Sequence, residues 1–193
     1  MYKIIKGKWN RNSYEIISSI GRGGTAKVYK VKDIQSNALF ALKISDDIHS
    51  ITKERDMLKK FDNLDIFPKL KEIDDYVCGD RTLYFIVIEY IAGNNLKEFI
   101  KHEKIDVNSM LAIGVLIGRV LQKLHLRGYI YGDLKLENIM YDTYKNEIRL
   151  IDLGGVTRIG KPIIEFTPIY DRAKWNLGKR RADENQKPFC LQA

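Results

Sequence analysis

Apolar and polar positions change their period along the chain, and each change predicts an element. Residues 13–20 read as a strand, a glycine-dense break follows at 21–24, and an apolar strand over 40–44 is interrupted by Lys43. Ile51, Glu54, Leu58 and Phe61 then fall at helical spacing, so Glu54 shares the inward stripe of a predicted helix with three apolar residues. Pro68 closes the helix region, because proline disfavours helix before it and carries no amide donor. Residues 76–78 and 83–88 read as two strands joined through Gly79, Asp80 and Arg81. A short helix is predicted over 95–101 and a longer one over 109–126, its first half almost entirely apolar. Ile113, Ile117, Val120, Leu121 and Leu124 form the densest face of the longer helix, which marks it as a buried core helix. Gly128 ends it, and 147–151 is a short strand that delivers Asp152.

Composition narrows the class. At 193 residues with 45% hydrophobic content, the chain can build one substantial core or two small lobes, and not two independent domains. The balance of 33 Lys+Arg against 25 Asp+Glu gives a net charge of +8, which favours acidic partners such as nucleotides, nucleic acid or an anionic membrane. No dense basic run focuses that charge, and the basic stretch 172–181 reads as solvated surface rather than a nucleic-acid site. Two cysteines, Cys78 and Cys190, make neither a disulfide framework nor a metal cluster, and point to a reducing interior. The N-terminus lacks the apolar core of a signal peptide, and the longest apolar run, 110–117, is too short to span a bilayer. A cytoplasmic protein without a membrane partner is expected.

The chemistry concentrates at 131–138, which reads YGDLKLEN. Asp133 can accept a proton from an attacking hydroxyl, Lys135 can neutralise a transferring phosphoryl group, and Asn138 offers a side-chain oxygen to a hard cation such as Mg²⁺. Asp152 adds a second carboxylate after an apolar strand, and Gly154 beside it lets the backbone turn sharply. Near the start, Gly21, Gly23 and Gly24 allow backbone amides to close over phosphate groups while Val28 packs on a flat purine. Lys43, pointing inward from an apolar strand, needs an anion, and Glu54 is the candidate. Each feature taken singly has a plainer alternative: a polar hairpin at 131–138, an ordinary glycine hairpin at 21–26, a Glu54 that reaches solvent, a strand end at 88–91.

Their order along the chain resembles the eukaryotic-like serine/threonine protein kinase superfamily, with 131–138 in place of H-R-D-x-K-x-x-N, Asp152-Leu153-Gly154 in place of D-F-G, and Ala41-Leu42-Lys43 within the strand motif V-A-I-K. The resemblance spans about 14–170, with Ala26 at the third glycine of the phosphate loop. It implies an α+β fold of two lobes: a small antiparallel β lobe with one helix at 13–91, after an N-terminal extension at 1–12, and an incomplete, mainly helical lobe at 92–193. It implies ATP and Mg²⁺ as cofactors and a protein substrate bearing a Ser or Thr acceptor. By resemblance Asp133 and Lys135 are catalytic, with Thr167 bonded near them, and Asn138 and Asp152 hold the metal. Gly21, Gly23, Gly24, Val28, Ala41, Lys43 and Glu54 then bind the nucleotide, with backbone groups of Glu89 and Ile91 on the adenine edge and Ile88 as gatekeeper.

Two departures qualify it. Gly132 replaces the arginine that receives a phosphorylated activation loop, so activation of that kind is not expected; Tyr131 replaces a histidine whose place is architectural. The A-P-E motif is not recognisable at 171–175, and the sequence shows no convincing buried helix to support the second lobe. The expectation divides three ways: a minimal kinase with a rearranged tail, a chain completed by a second copy or another partner, or a truncated and inactive product. Two further functional readings stand beside an active kinase, a non-catalytic nucleotide-binding scaffold and a kinase-like subunit serving RNA or a small molecule.

Overall fold

Alternation organises the first half of the molecule. Along β4 (Leu39–Ser45), Leu42 and Ile44 turn to one face and Ala41 and Lys43 to the other. The same alternation in β1 (Ile4–Lys6), β2 (Ser13–Arg22), β3 (Ala26–Asp33), β5 (Leu70–Cys78) and β6 (Arg81–Glu89) builds an antiparallel sheet of order β1-β2-β3-β4-β6-β5. Its core face gathers Ile5, Tyr14, Val31, Leu42, Ile44, Phe85 and Val87. Helix α1 (Ile48–Lys60) is capped by Asp47, whose side chain accepts from the His49 amide, and buries Ile51, Glu54 and Leu58. It stops at Lys60 with Phe61 as its C-cap, well before the proline that the sequence suggested as its limit.

This computed structural model describes residues 4–22, 26–142, 144–145, 147–162 and 181–182. They fall into two units, one within Met1–Asn63 and Pro68–Ile91, the other within Leu64–Phe67 and Ala92–Ala193.

The N-terminus is not an extension outside the sheet. Strand β1 pairs with β2, Ile5 opposite Tyr14, and Ile5 is buried in the core. Three residues are too few to show a period, and the carboxylate that clasps the turn after this strand comes from far along the chain. Asp74, on β5, accepts from the amides of Trp9 at 3.0 Å and Asn10 at 2.7 Å.

A second buried carboxylate, Asp33, makes part of this unit's stability sensitive to acid. Burial raises the pKa of Asp33, but the Lys71 ammonium, the Ser36 hydroxyl and the Gln35 amide outweigh it and hold the group below its ordinary value. A carboxylate depressed in the fold stabilises it above its unfolded pKa of about 3.9, and this stabilisation is lost as pH falls through the lower folded value. Asp33→Asn is therefore expected to lower the thermal midpoint at pH 7, with the deficit shrinking below about pH 4. A deficit that is the same at both pH values would contradict the assignment.

Among the described residues the second unit contains α2 (Leu96–His102), α3 (Val107–His125) and three two-stranded ribbons. These are β7 (Tyr129–Tyr131) with β10 (Val156–Arg158), β8 (Ile139–Asp142) with β9 (Glu147–Leu150), and β11 (Lys161–Pro162) with β12 (Arg181–Ala182). Asn95 and Asp106 cap the two helices, accepting from the amides of Glu98 and Ser109. The sequence marks α3 as core along the face of Ile113, Ile117, Val120, Leu121 and Leu124, and the structure covers that face most fully at the last turns. Val120, Leu121 and Leu124 are buried, Ile113 and Ile117 are half-buried, and Val107, Leu111 and Val115 are 75%, 64% and 54% exposed. Periodicity identifies a face and does not supply the surface that covers it. By length and composition alone this 19-residue helix, with an 18-residue window of mean hydropathy 1.3, is long and apolar enough to cross a membrane, which the run 110–117 by itself is not.

The segment Leu64–Phe67 is held within this second unit by the chain that follows β8. Leu150 donates its amide to the Ile66 carbonyl at 2.8 Å, and the fully buried Arg149 donates through Nη2 to the Phe67 carbonyl. Arg149 also lies 3.7 Å from Asp142.

Candidate active site

In the first unit the register of the sheet gathers one set of groups. Gly21 stands opposite Val28, Val28 opposite Lys43, and Ala41 opposite Ile88, so alternation places all five on one face. Lys43 Nζ lies 2.7 Å from Glu54 Oε2, with the glutamate side chain only 3% exposed. An ionised carboxylate at that depth needs a fixed cation, and the lysine that satisfies it is thereby held in one orientation. At the end of β6, Glu89 donates its amide to the Lys69 carbonyl at 2.8 Å and accepts from the Lys69 amide at 3.1 Å, and Ile91 is buried two residues later. Gly23 and Gly24 lie outside the described residues.

In the second unit the loop after β7 is tied to its own carboxylate. Asp133 Oδ2 accepts from Lys135 Nζ at 2.7 Å and from Asn138 Nδ2 at 2.9 Å, and Asn138 Nδ2 also reaches the Asp133 carbonyl at 3.1 Å. Asn138 ends a short 3-10 turn, Leu136–Asn138, that the Lys97–Glu137 ion pair fastens to α2. Because Asn138 donates through its nitrogen, its amide oxygen is the end suited to a cation. Residues 138 and 152 reach the same end of one ribbon: Ile139 pairs with Leu150, and the Ile151 amide donates to the Asn138 carbonyl at 2.9 Å. Among the described residues no cluster of three or more His, Cys, Asp or Glu side chains forms a metal cage. An amide oxygen and a carboxylate do suit Mg²⁺, which keeps most of its shell for water and phosphate oxygens.

The turn after β9 differs from the expectation that Gly154 would make it. Asp152 itself takes the left-handed conformation, φ 65 and ψ 88, which aspartate tolerates better than most side chains. Its side chain accepts from the Gly154 amide at 3.3 Å. Its carbonyl accepts from the Tyr131 hydroxyl at 3.0 Å, and the same hydroxyl bonds the Ile151 carbonyl. Tyr131, read from sequence as architectural, thus grips the backbone that carries the second carboxylate. Gly155 follows, buried against Asp133, and its part was not read from the sequence although two consecutive glycines stand there. Thr167 lies outside the described residues.

Comparison with known proteins identifies the family. The protein kinase domain family matches residues 14–170. The serine/threonine-protein kinase YabT of Bacillus subtilis is 36% identical over 192 residues, covering 97% of this chain and 56% of that protein. A probable serine/threonine-protein kinase of Clostridium acetobutylicum is 33% identical over 149 residues, 74% of this chain and 22% of its own length. The serine/threonine-protein kinase PknG of Mycobacterium leprae is 35% identical over 161 residues, 76% and 20% of the two chains. The chain thus spans just over half of the first of these relatives and about a fifth of the other two. By the family match and by identity over nearly its full length, the chain belongs to the protein kinase domain family.

Proposed function

We propose that the chain transfers the γ-phosphoryl group of ATP, with Mg²⁺, to serine or threonine hydroxyls of proteins. The observation that carries this reading is the Asp133 carboxylate, held by Lys135 and Asn138 on the loop that leads to the ribbon end bearing Asp152. The relatives' designation as serine/threonine-protein kinases supports the acceptor class.

In the transfer, the acceptor oxygen forms a bond to the γ-phosphorus as the bond from that phosphorus to the bridging oxygen of ADP breaks. The hydroxyl proton passes to Asp133, which also orients the oxygen for attack. Lys135, already on the same carboxylate, stabilises charge on the phosphoryl group in flight. Lys43, oriented by Glu54, binds the phosphates, and the amides around Gly21, Gly23 and Gly24 cover them. Val28 and Ala41 pack on the purine. Glu89 uses its amide within the sheet, so its carbonyl and the Ile91 amide are the groups for the adenine edge. Thr167 would bond to the loop of Asp133. Asn138 and Asp152 would hold Mg²⁺, which when bound would supply positive charge to offset that of the phosphates.

The test is transfer of radiolabelled phosphate from ATP to a protein acceptor, with Mg²⁺ and with the metal chelated, in the wild type and in Asp152→Ala. Chelation and the substitution should each lower transfer by at least about 100-fold, the equivalent of several kcal/mol of charge stabilisation. Transfer that is indifferent to both would defeat the proposal.

A further inference from the structure

Gly155 occupies a place that no larger residue fits. A Cβ built on it would lie 2.7 Å from Asp133 Cβ and 2.8 Å from the Asp133 backbone nitrogen. Its φ is outside the left-handed region, so the backbone conformation would admit alanine, and only the space forbids it. The obstacle is backbone and Cβ, which cannot swing aside as the end of a flexible side chain could. Relief to ordinary contact at 3.4 Å requires Asp133 and residue 155 to separate by about 0.7 Å.

The neighbouring contacts show why that movement would fall on Asp133. Strands β7 and β10 pair Tyr131 with Val156, and beyond that pair the Gly132 amide donates to the Gly155 carbonyl at 2.9 Å. At the other end of the turn, the Tyr131 hydroxyl holds the Asp152 carbonyl. The segment 152–155 is thus fastened at both ends to β7 and its continuation, and its 3-10 turn brings Gly155 against Asp133. We propose that Gly155 is a positioning residue for Asp133: its bare Cα and its carbonyl set where the carboxylate-bearing backbone sits. This rests on the phosphotransferase reading for its kinetic consequence, and on contacts alone for its structural one.

A displacement approaching 1 Å at a group that must meet a reacting hydroxyl lowers turnover by about 100-fold. Gly155→Ala in the full chain is therefore expected to lower kcat by about that factor, with KM for ATP and the Kd of a fluorescent ATP analogue within about two-fold of wild type. Gly118→Ala, where an added Cβ meets nothing within 4 Å, serves as the control and should retain wild-type turnover. Amide hydrogen exchange supplies a readout independent of activity: in Gly155→Ala, exchange should quicken at Gly132 and Asp133 and stay unchanged across β2 to β6. Wild-type turnover in Gly155→Ala, or a joint fall of kcat and nucleotide affinity with exchange rising throughout the second unit, would overturn the proposal. Should the wild type transfer no phosphate, the phosphotransferase reading fails by itself; unaltered protection at Gly132 and Asp133 in the variant would then overturn the role of Gly155 separately.

Discussion

Asp133→Asn is expected to lower kcat by about 10²- to 10⁴-fold, the range that removal of a positioned general base produces. The choice of asparagine isolates the chemistry. Its side-chain oxygen still accepts from Lys135 and its backbone carbonyl from Asn138, so the loop keeps the bonds that shape it. What it loses is the capacity to take up the acceptor's proton. Nucleotide affinity should change little, because the groups proposed to bind ATP lie on the sheet and α1, with Lys43 held by Glu54. Steady-state kinetics with an equilibrium binding measurement on the same preparation would check both halves. An Asp133→Asn protein that turns over within about three-fold of wild type would remove the general base from the mechanism.

The largest effect on stability is expected at Arg149. Its side chain is fully buried, donates to the Phe67 carbonyl and faces Asp142, itself only 4% exposed. Asp142 also accepts from the amides of Tyr144 and Lys145 in the turn between β8 and β9. Arg149→Met keeps apolar bulk but leaves that carboxylate without its buried cation and the Phe67 carbonyl without its donor. Breaking a buried pair from one side costs about 3–5 kcal/mol, a large part of the roughly 5–15 kcal/mol that holds a domain folded. A chain of this size should then lose roughly 6–20 °C in thermal midpoint. Adding Asp142→Leu to Arg149→Met should recover part of the loss, because the uncompensated charge leaves with it. A single variant that melts within about 2 °C of wild type would show that the pair contributes little.

How much of this was legible in sequence depended on whether a signal was local. Lys43 and Glu54 could be matched because an apolar strand and a helical stripe each isolate one charged residue. Asp133, Asn138 and Asp152 could be matched because they stand at the ends of short elements whose order along the chain is informative. Position 149 was not legible: a buried arginine in a short strand looks like any exposed basic residue until Phe67, 82 positions away, is seen beside it. The Asp74 clasp was hidden for the same reason, its partners standing 65 and 64 positions away, and strand β1 because three residues show no period. Gly155 shows a different limit. Its glycine is required by a clash with Asp133, not by its own φ, and a steric requirement of that kind leaves no local pattern beyond the glycine itself. The first half of α3 shows the converse: its apolar period identified the helix and the face that is covered, while Leu111 and Val115, away from that face, stay exposed.

The most direct measurement is incorporation of radiolabelled γ-phosphate into serine or threonine of a protein acceptor, followed by phosphoamino-acid analysis, for the wild-type chain beside Asp133→Asn. Label on phosphoserine or phosphothreonine from the wild type, reduced at least about 100-fold by the substitution, is the result expected of a phosphotransferase that uses Asp133 as its base. Nucleotide bound in the presence of Mg²⁺ with no label transferred by either protein would contradict it.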